Sequence, residues 1–279
     1  MKLVTFSIGS AAHVGCLVGE VVVDLTSAAP TMKTLIEGGA PLLAKAGEVL
    51  KSAPRFPLNS IRLLAPIPNP SKVLCCGINY RSHAEENPNA VMPSEPFFFA
   101  KLPSSVIGPD DPIPYPPRTA QLDYEVEFAA VIGKQLRRAQ EEDVMSAVFG
   151  YTLLNDVSAR DVQFKDNQIT LGKNFDGFAP IGPCIVTTDE LSRPDAIGLR
   201  TRLNGRLLQN GSTSDWLFSL PRIIASLSQV MTLQPGDIVT TGTPAGVGFF
   251  QKPQVFMHPG DVIEIEGDVI GTLRNTIAA

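Results

Sequence analysis

Cysteine and histidine are scarce in this chain, at four and three of 279 residues, and they stand in no metal-binding spacing. The absence of any CxxC or HxxxH pattern disfavours zinc held by sulfur and imidazole. Cys75 and Cys76 are neighbours and cannot form an ordinary structural bridge with each other. These two, with Cys16 and Cys184, are expected as reduced, mostly buried thiols. No histidine lies beside Cys16 or Cys184 in sequence, which argues against a thiol nucleophile. Positive charge is short as well: 23 Lys and Arg against 28 Asp and Glu leave a net charge of −5, with no basic block or basic–aromatic stripe. Nucleic acid is therefore not an expected partner. No apolar run approaches the roughly 18–20 residues of a membrane helix, so no membrane partner is expected either. The opening MKLVTFSIGSAAHVG lacks the long apolar core of a secretory leader, and a cytosolic (cytoplasmic) chain is expected.

With 44% hydrophobic and 18% charged residues, the composition is that of a folded globular protein of one large or two small domains. Three prolines in APIPNPSK, residues 65–72, suit a connector. Two units are expected, a small N-terminal α/β domain over 1–66 and a larger domain over 67–279. In the first, strands are expected at 2–7 and 20–25 and a helix over 32–51. In the second, strands are expected near 73–77, 96–101, 123–132, 183–188, 200–203, 237–241, 262–266 and 269–274, with helices at 140–148, 159–165 and 220–231. Ser219 can cap the last helix, with Pro221 tolerated in its first turn. Many strands without regular βαβ alternation predict an α+β, β-rich fold.

The segment QLDYEVEFAAVIGK, residues 121–134, opens like an amphipathic strand, with Asp123, Glu125 and Glu127 on one face and Tyr124, Val126 and Phe128 on the other. It then runs apolar through Ile132, which places carboxylates at the edge of a buried strand. Glu125 and Glu127, two residues apart, have Cβ atoms roughly 6.6 Å from each other and can converge on one ion. In FGYTLLNDVSARDVQ, residues 149–163, an apolar run ends at Asn155-Asp156, and Asp156 is the natural third carboxylate. Three carboxylates suit Mg²⁺, Mn²⁺ or Ca²⁺ better than zinc. Taken alone, the glutamates read first as a face turned to water.

Two further segments bear on this. In GINYRSHAEENP, residues 77–88, His83 and Glu86 are spaced i, i+3 and share a helical face, so the carboxylate can orient an imidazole base. TTGTPAGVGFF, residues 240–250, is a strand end followed by a glycine-rich turn whose N–H groups can hold a carboxylate. It lacks the Gly-Lys-Ser/Thr of a P-loop and the spacing of a dinucleotide fingerprint, and a plain tight turn stays open.

The ordered set GINYRSHAEE, PFFFAKLPSSVIGPDDPI, LDYEVEFAAVIG, GYTLLNDVSARDVQ, LGKNFDGFAPIGP, RLNGRLLQNGSTSDWLF and LQPGDIVTTGTPAGVG covers about residues 70–275 and resembles the fumarylacetoacetate hydrolase family. The resemblance implies a mixed β-roll catalytic domain over 67–279, a homodimer, and a divalent cation, Mg²⁺ or Mn²⁺ with Ca²⁺ compatible, that binds a small-molecule 2-oxo acid. By matching motif positions it implies that Glu125, Glu127 and Asp156 ligate the metal, and that His83 and Glu86 activate water. Lys173 then neutralises enolate charge, and Gln163 and Thr243 contact substrate. Lys101 and Arg160 also fall in family motifs and are expected near substrate or supporting the site.

One departure narrows the branch. Fumarylacetoacetases proper take a fourth carboxylate seven residues before the histidine, where this chain has Cys76, a poor ligand for a hard cation. The resemblance is therefore to the three-carboxylate branch. The expected reaction is hydrolysis of a C–C bond in a 2,4-dioxo acid of acylpyruvate type, through an enolate. Oxaloacetate decarboxylation, or isomerisation or hydration of ring-cleavage dioic acids, is the alternative. A silent binding protein of the same fold would have lost metal or base, and retention of the five residues Glu125, Glu127, Asp156, His83 and Lys173 argues against it. The proline-flanked stretch 80–95 is expected to act as a lid.

Overall fold

The uninterrupted apolar run after the second glutamate becomes the strand Val126–Ile132, every residue of which is buried, as a strand covered on both faces requires. The computed structural model that contains it describes residues 1–87 and 91–279. Val126–Ile132 pairs antiparallel with Val148–Asn155 on one side and with Ile238–Thr240 on the other. Ile238–Thr240 then pairs parallel with Val73–Gly77, which pairs antiparallel with Phe97–Lys101. Beyond Val148–Asn155 the same sheet continues through Ala179–Thr187, Lys2–Ile8, Ala11–Val18, Val21–Asp24 and Arg55–Pro57. The strands of the first 66 residues thus extend the sheet that carries the glutamates, with Leu3 opposite Ile185.

A second, five-stranded sheet runs Arg206–Ser212, Gly198–Leu203, Val262–Gly267, Gly271–Ala278 and Ile113–Pro114. It lies against the first so closely that a Cβ on Gly267 would fall 2.7 Å from Leu153 Cδ2. The result is the mixed, strand-rich α+β architecture that the sequence predicts. Among the described residues no helix is long and apolar enough to cross a membrane.

Three differences from the expected elements have physical causes. The helix expected over 140–148 stops at Val144, and after one 3₁₀ turn Val148 starts a strand. Pairing with Val126–Ile132 outweighs a short helical pattern that could not bury Phe149 and Tyr151 as well. The helix over Met32–Val49 is broken at Gly39, where φ is +53°, with Pro41 just beyond. Strands Ala11–Val18 and Arg206–Ser212 were not expected from periodicity, because one opens on small residues and the other is largely polar. The helix Leu220–Val230 forms as expected, its first turn capped by the Ser219 hydroxyl accepting from Arg222 N.

Candidate active site

Register brings the acidic residues together. Val126 lies opposite Asn155, so Glu125, one residue before the first strand, faces Asp156, one residue after the second. The two strand ends are tied by Asp156 N donating to Glu125 O at 2.9 Å and by Glu125 N donating to Asn155 Oδ1 at 3.0 Å. Glu127 follows two residues on, on the same face. One oxygen from each of Glu125, Glu127 and Asp156 lies within 4.8 Å of the others, and all three residues are buried.

Three buried cations surround them. Lys173, on the short helix Ile169–Lys173, donates to Glu125 Oε2 and Asp156 Oδ2, both at 2.7 Å. Lys101, at the end of Phe97–Lys101, donates to Asp156 Oδ1 at 2.7 Å and to Val157 O at 3.0 Å. Arg160 forks between Glu125 Oε1 at 2.5 Å and Asp123 Oδ2 at 2.8 Å, and its remaining Nη1 donates to Gln163 Oε1 at 3.0 Å. Glycine at 172 lets the Lys173 helix reach this place, because a Cβ there would fall 2.6 Å from Gln163 Cα.

The charge does not balance. Four buried carboxylates, Asp123, Glu125, Glu127 and Asp156, face three buried cations, and among the described residues Glu127 has no ion-pair partner. Its Oε2 finds no hydrogen-bond partner among them either. Thr240 lies beside it, but the Thr240 hydroxyl is likewise without a bond of normal geometry. Burial, reinforced by Asp156 and Glu125, pushes the Glu127 carboxyl well above its ordinary pKa. Burial would raise Glu125 too, but Arg160 and Lys173 outweigh it and hold that carboxyl well below the usual range. For Lys173, burial works against the charge, and Asp156 and Glu125 more than restore it. An orphaned, buried carboxylate oxygen beside two further oxygen donors fits a hard divalent cation. Mg²⁺ or Mn²⁺ suits this set, and no sulfur or imidazole completes it for zinc.

His83 and Glu86 lie on the helix Arg81–Glu86, with Nδ1 donating to Glu86 Oε2 at 2.6 Å when the carboxylate is ionised. That bond leaves Nε2 as the ring's other nitrogen on a residue that lines the pocket. Glu86 Oε1 accepts from Gly246 N at 2.8 Å, so the helix is docked on the glycine-rich turn. Residues 88–90 of the expected lid lie outside the described residues.

A pocket of about 350 Å³ is lined by His83, Glu125, Glu127, Lys173, Gln163, Thr243 and Arg160. Phe97, Phe99, Phe164 and Phe250 supply apolar surface. Asp156 and the Lys101 bonded to it do not line the pocket. Cys76 does line the pocket, and burial, helped by Glu127, pushes its thiol up to about 12. All four cysteines are free and buried. Sequence reasoning missed two supports. Gln209 donates to Thr243 Oγ1 at 2.8 Å and accepts from Val126 N at 3.0 Å, joining the threonine to the glutamate strand. Asp123, third on the acidic face, accepts from Arg160 and from the backbone of the glycine-rich turn. Its position on that face was the available signal.

Known proteins share this arrangement of chain. A mitochondrial oxaloacetate tautomerase, fahd2, from Xenopus laevis is 44% identical over 263 residues, spanning 92% of this chain and 82% of that protein. Its name places that relative in mitochondria and lends no support to the cytosolic expectation. The structure of a fumarylacetoacetate hydrolase from the psychrophile Exiguobacterium antarcticum matches with a TM-score of 0.88 at 39% identity, over 100% of this chain and 99% of that one. Maleylpyruvate hydrolase from Sphingobium sp. SYK-6, in complex with manganese(II) and pyruvate, matches with a TM-score of 0.85 at 32% identity, over 100% and 99% of the two chains. Residues 72–278 match the family described as fumarylacetoacetate (FAA) hydrolase C-terminal, and with the buried acidic triad at the ends of two central strands this chain belongs to the fumarylacetoacetate hydrolase family.

Proposed function

We propose that this protein is a divalent-metal-dependent enzyme that moves a proton at the carbon beside the carbonyl of a 2-oxo acid, with keto–enol tautomerisation of oxaloacetate as its reaction. The observation that carries the reading is the buried Glu127 oxygen, unpartnered among the described residues, within a three-carboxylate cluster whose Glu125 and Glu127 line the same pocket as His83, itself bonded to Glu86. The name of the Xenopus laevis relative supports the choice of reaction.

Glu125, Glu127 and Asp156 would hold the cation, Mg²⁺ or Mn²⁺, which when bound supplies Lewis-acid polarisation of the 2-oxo group. Gln163 and Thr243 bind and orient the substrate's carboxylate end. His83 takes the proton from carbon at Nε2 and returns it to oxygen, while Glu86 fixes the ring tautomer and its angle. The Lys173 ammonium meets the negative charge that develops as the proton leaves. The phenylalanine wall keeps water away from that charge.

Hydrolysis of a C–C bond in a 2,4-dioxo acid is the second reading. It is favoured by a pocket of about 350 Å³, roomier than a four-carbon acid fills, and by the name of the Sphingobium neighbour. In that reaction His83 takes its proton from water instead of carbon. The test follows the enol absorbance of freshly dissolved oxaloacetate with Mn²⁺-loaded protein, alongside product analysis of acylpyruvates and of oxaloacetate. Faster enol decay without pyruvate release is expected. No acceleration by loaded protein rules out tautomerisation, and cleavage of an acylpyruvate establishes the second reading.

A further inference from the structure

We propose that Asp123 is a positioning residue that aligns the metal carboxylates with the His83–Glu86 base by gripping Arg160 and the glycine-rich turn at once. The inference rests on Glu125, Glu127 and Asp156 being the metal ligands, and it gives a job to the one buried carboxylate of the cluster outside that set.

Asp123 is fully buried on the strand Leu122–Asp123, which pairs with Ser158–Ala159 just ahead of Arg160. Its carboxylate accepts from Gly248 N at 2.7 Å, Phe249 N at 3.0 Å, Tyr124 N at 2.8 Å and Arg160 Nε at 2.8 Å. The Arg160 bond decides how Glu125 is presented. With Nε committed to Asp123, the guanidinium reaches Glu125 through Nη2 alone and holds only Oε1. Among the described residues Oε2 then accepts from Lys173 alone. A guanidinium freed from Asp123 would turn its two-donor edge on Glu125 and occupy both oxygens, the geometry that arginine and carboxylate prefer. That grip competes with a cation.

The other two bonds act on the base. Gly248 and Phe249 belong to the turn that contains Gly246, whose N–H donates to Glu86 Oε1. The turn has no slack at this point: a Cβ on Gly248 would fall 1.8 Å from Val255 O and 2.7 Å from Asp123 Oδ1. One carboxylate is therefore tied to Glu125 through Arg160 and to Glu86 through the glycine-rich turn. A purely structural Asp123, present only to neutralise a buried arginine, would affect stability and leave metal affinity alone.

The experiment is calorimetric Mn²⁺ titration of the parent protein, Asp123→Asn, Arg160→Lys and the double variant, each with a thermal unfolding curve in chelator. Asparagine keeps the shape but sets an N–H₂ against N–H donors, and lysine keeps the charge but cannot fork. Either single change is expected to weaken Mn²⁺ binding on the order of 10–100-fold, as losing a supporting partner of a metal ligand does. The double variant is expected to be no weaker than the worse single, because both act through the same fork. Parent-like Mn²⁺ affinity in Asp123→Asn, or additive losses in the double variant, overturns the proposal. Should Asp123→Asn fail to fold, Arg160→Lys decides alone: weakened binding supports the proposal and parent affinity overturns it. Absence of Mn²⁺ binding by the parent overturns the metal reading itself, and this inference with it.

Discussion

At the scale of single residues the site is an unequal set of carboxylates. Glu125 and Asp156 are paired with cations, and Glu127 is not. Glu127→Gln is expected to weaken Mn²⁺ binding by at least ~10–100-fold and to abolish turnover while the fold survives, read by calorimetry and circular dichroism. A pH dependence follows from the same group. Its folded pKa is raised, so its contribution to stability is present at low pH, below the unfolded carboxylate value, and is lost as pH rises through the folded value. A bound cation needs the ionised form. Mn²⁺ affinity should therefore climb with pH above the usual carboxylate range, by up to about tenfold per unit for one released proton, and Glu127→Gln should flatten the slope. His83 differs in kind. His83→Ala is expected to lower the rate by about 10²–10⁴-fold while Mn²⁺ affinity stays near the parent's; equal loss of affinity would place the imidazole on the metal instead. The carboxylates and the His83–Glu86 spacing were legible because strand period and i, i+3 geometry are local rules, whereas Lys173 came only with the family resemblance of LGKNFD. The fork of Arg160 was not, since it depends on Asp123 and Glu125 meeting the first residue of the helix Arg160–Gln163, which the distant pairing of Leu122–Asp123 with Ser158–Ala159 brings there.

At the scale of elements, the helix Arg81–Glu86 and the glycine-rich turn form one unit, joined by Gly246 N to Glu86 and by Ala245 N to the Ser82 hydroxyl at 3.3 Å. The base is docked here, whereas the carboxylates stand on the sheet. If that docking tightens with substrate, amides over 80–87 and 91–95 gain hydrogen-exchange protection when oxalate and Mn²⁺ are added; strong, equal protection with and without oxalate removes the lid. Elements with an apolar pattern were readable, as Val126–Ile132 and Leu220–Val230 show. Arg206–Ser212 was not, because a polar strand has no periodicity to read. Its hairpin was nonetheless written in Asn204-Gly205, both at positive φ, the pair that a two-residue turn favours.

At the scale of the whole molecule, the strand-rich fold was legible from the number of short apolar segments without helical alternation, but the sheet order was not. Local pattern cannot say that Lys2–Ile8 lies beside Ala179–Thr187. That pairing has a consequence for how the protein is made. On a ribosome the first strand emerges long before this partner; Ala11–Val18 and then Arg62–Leu64 can pair with it early, the latter over Thr5–Ser7, while Lys2 and Leu3 wait for Ala179–Thr187. Until then that end of the strand is an open edge of the kind that invites mispairing. Non-local contacts close slowly, so pulse-labelled exchange during refolding should show the Leu25 amide, bonded locally to Val14 O, protected before the Thr187 amide, bonded to Met1 O. Simultaneous protection would mean that the sheet closes in one step. A late Thr187 makes this seam a late step of assembly, with the edge at Lys2 and Leu3 open to mispairing until it closes.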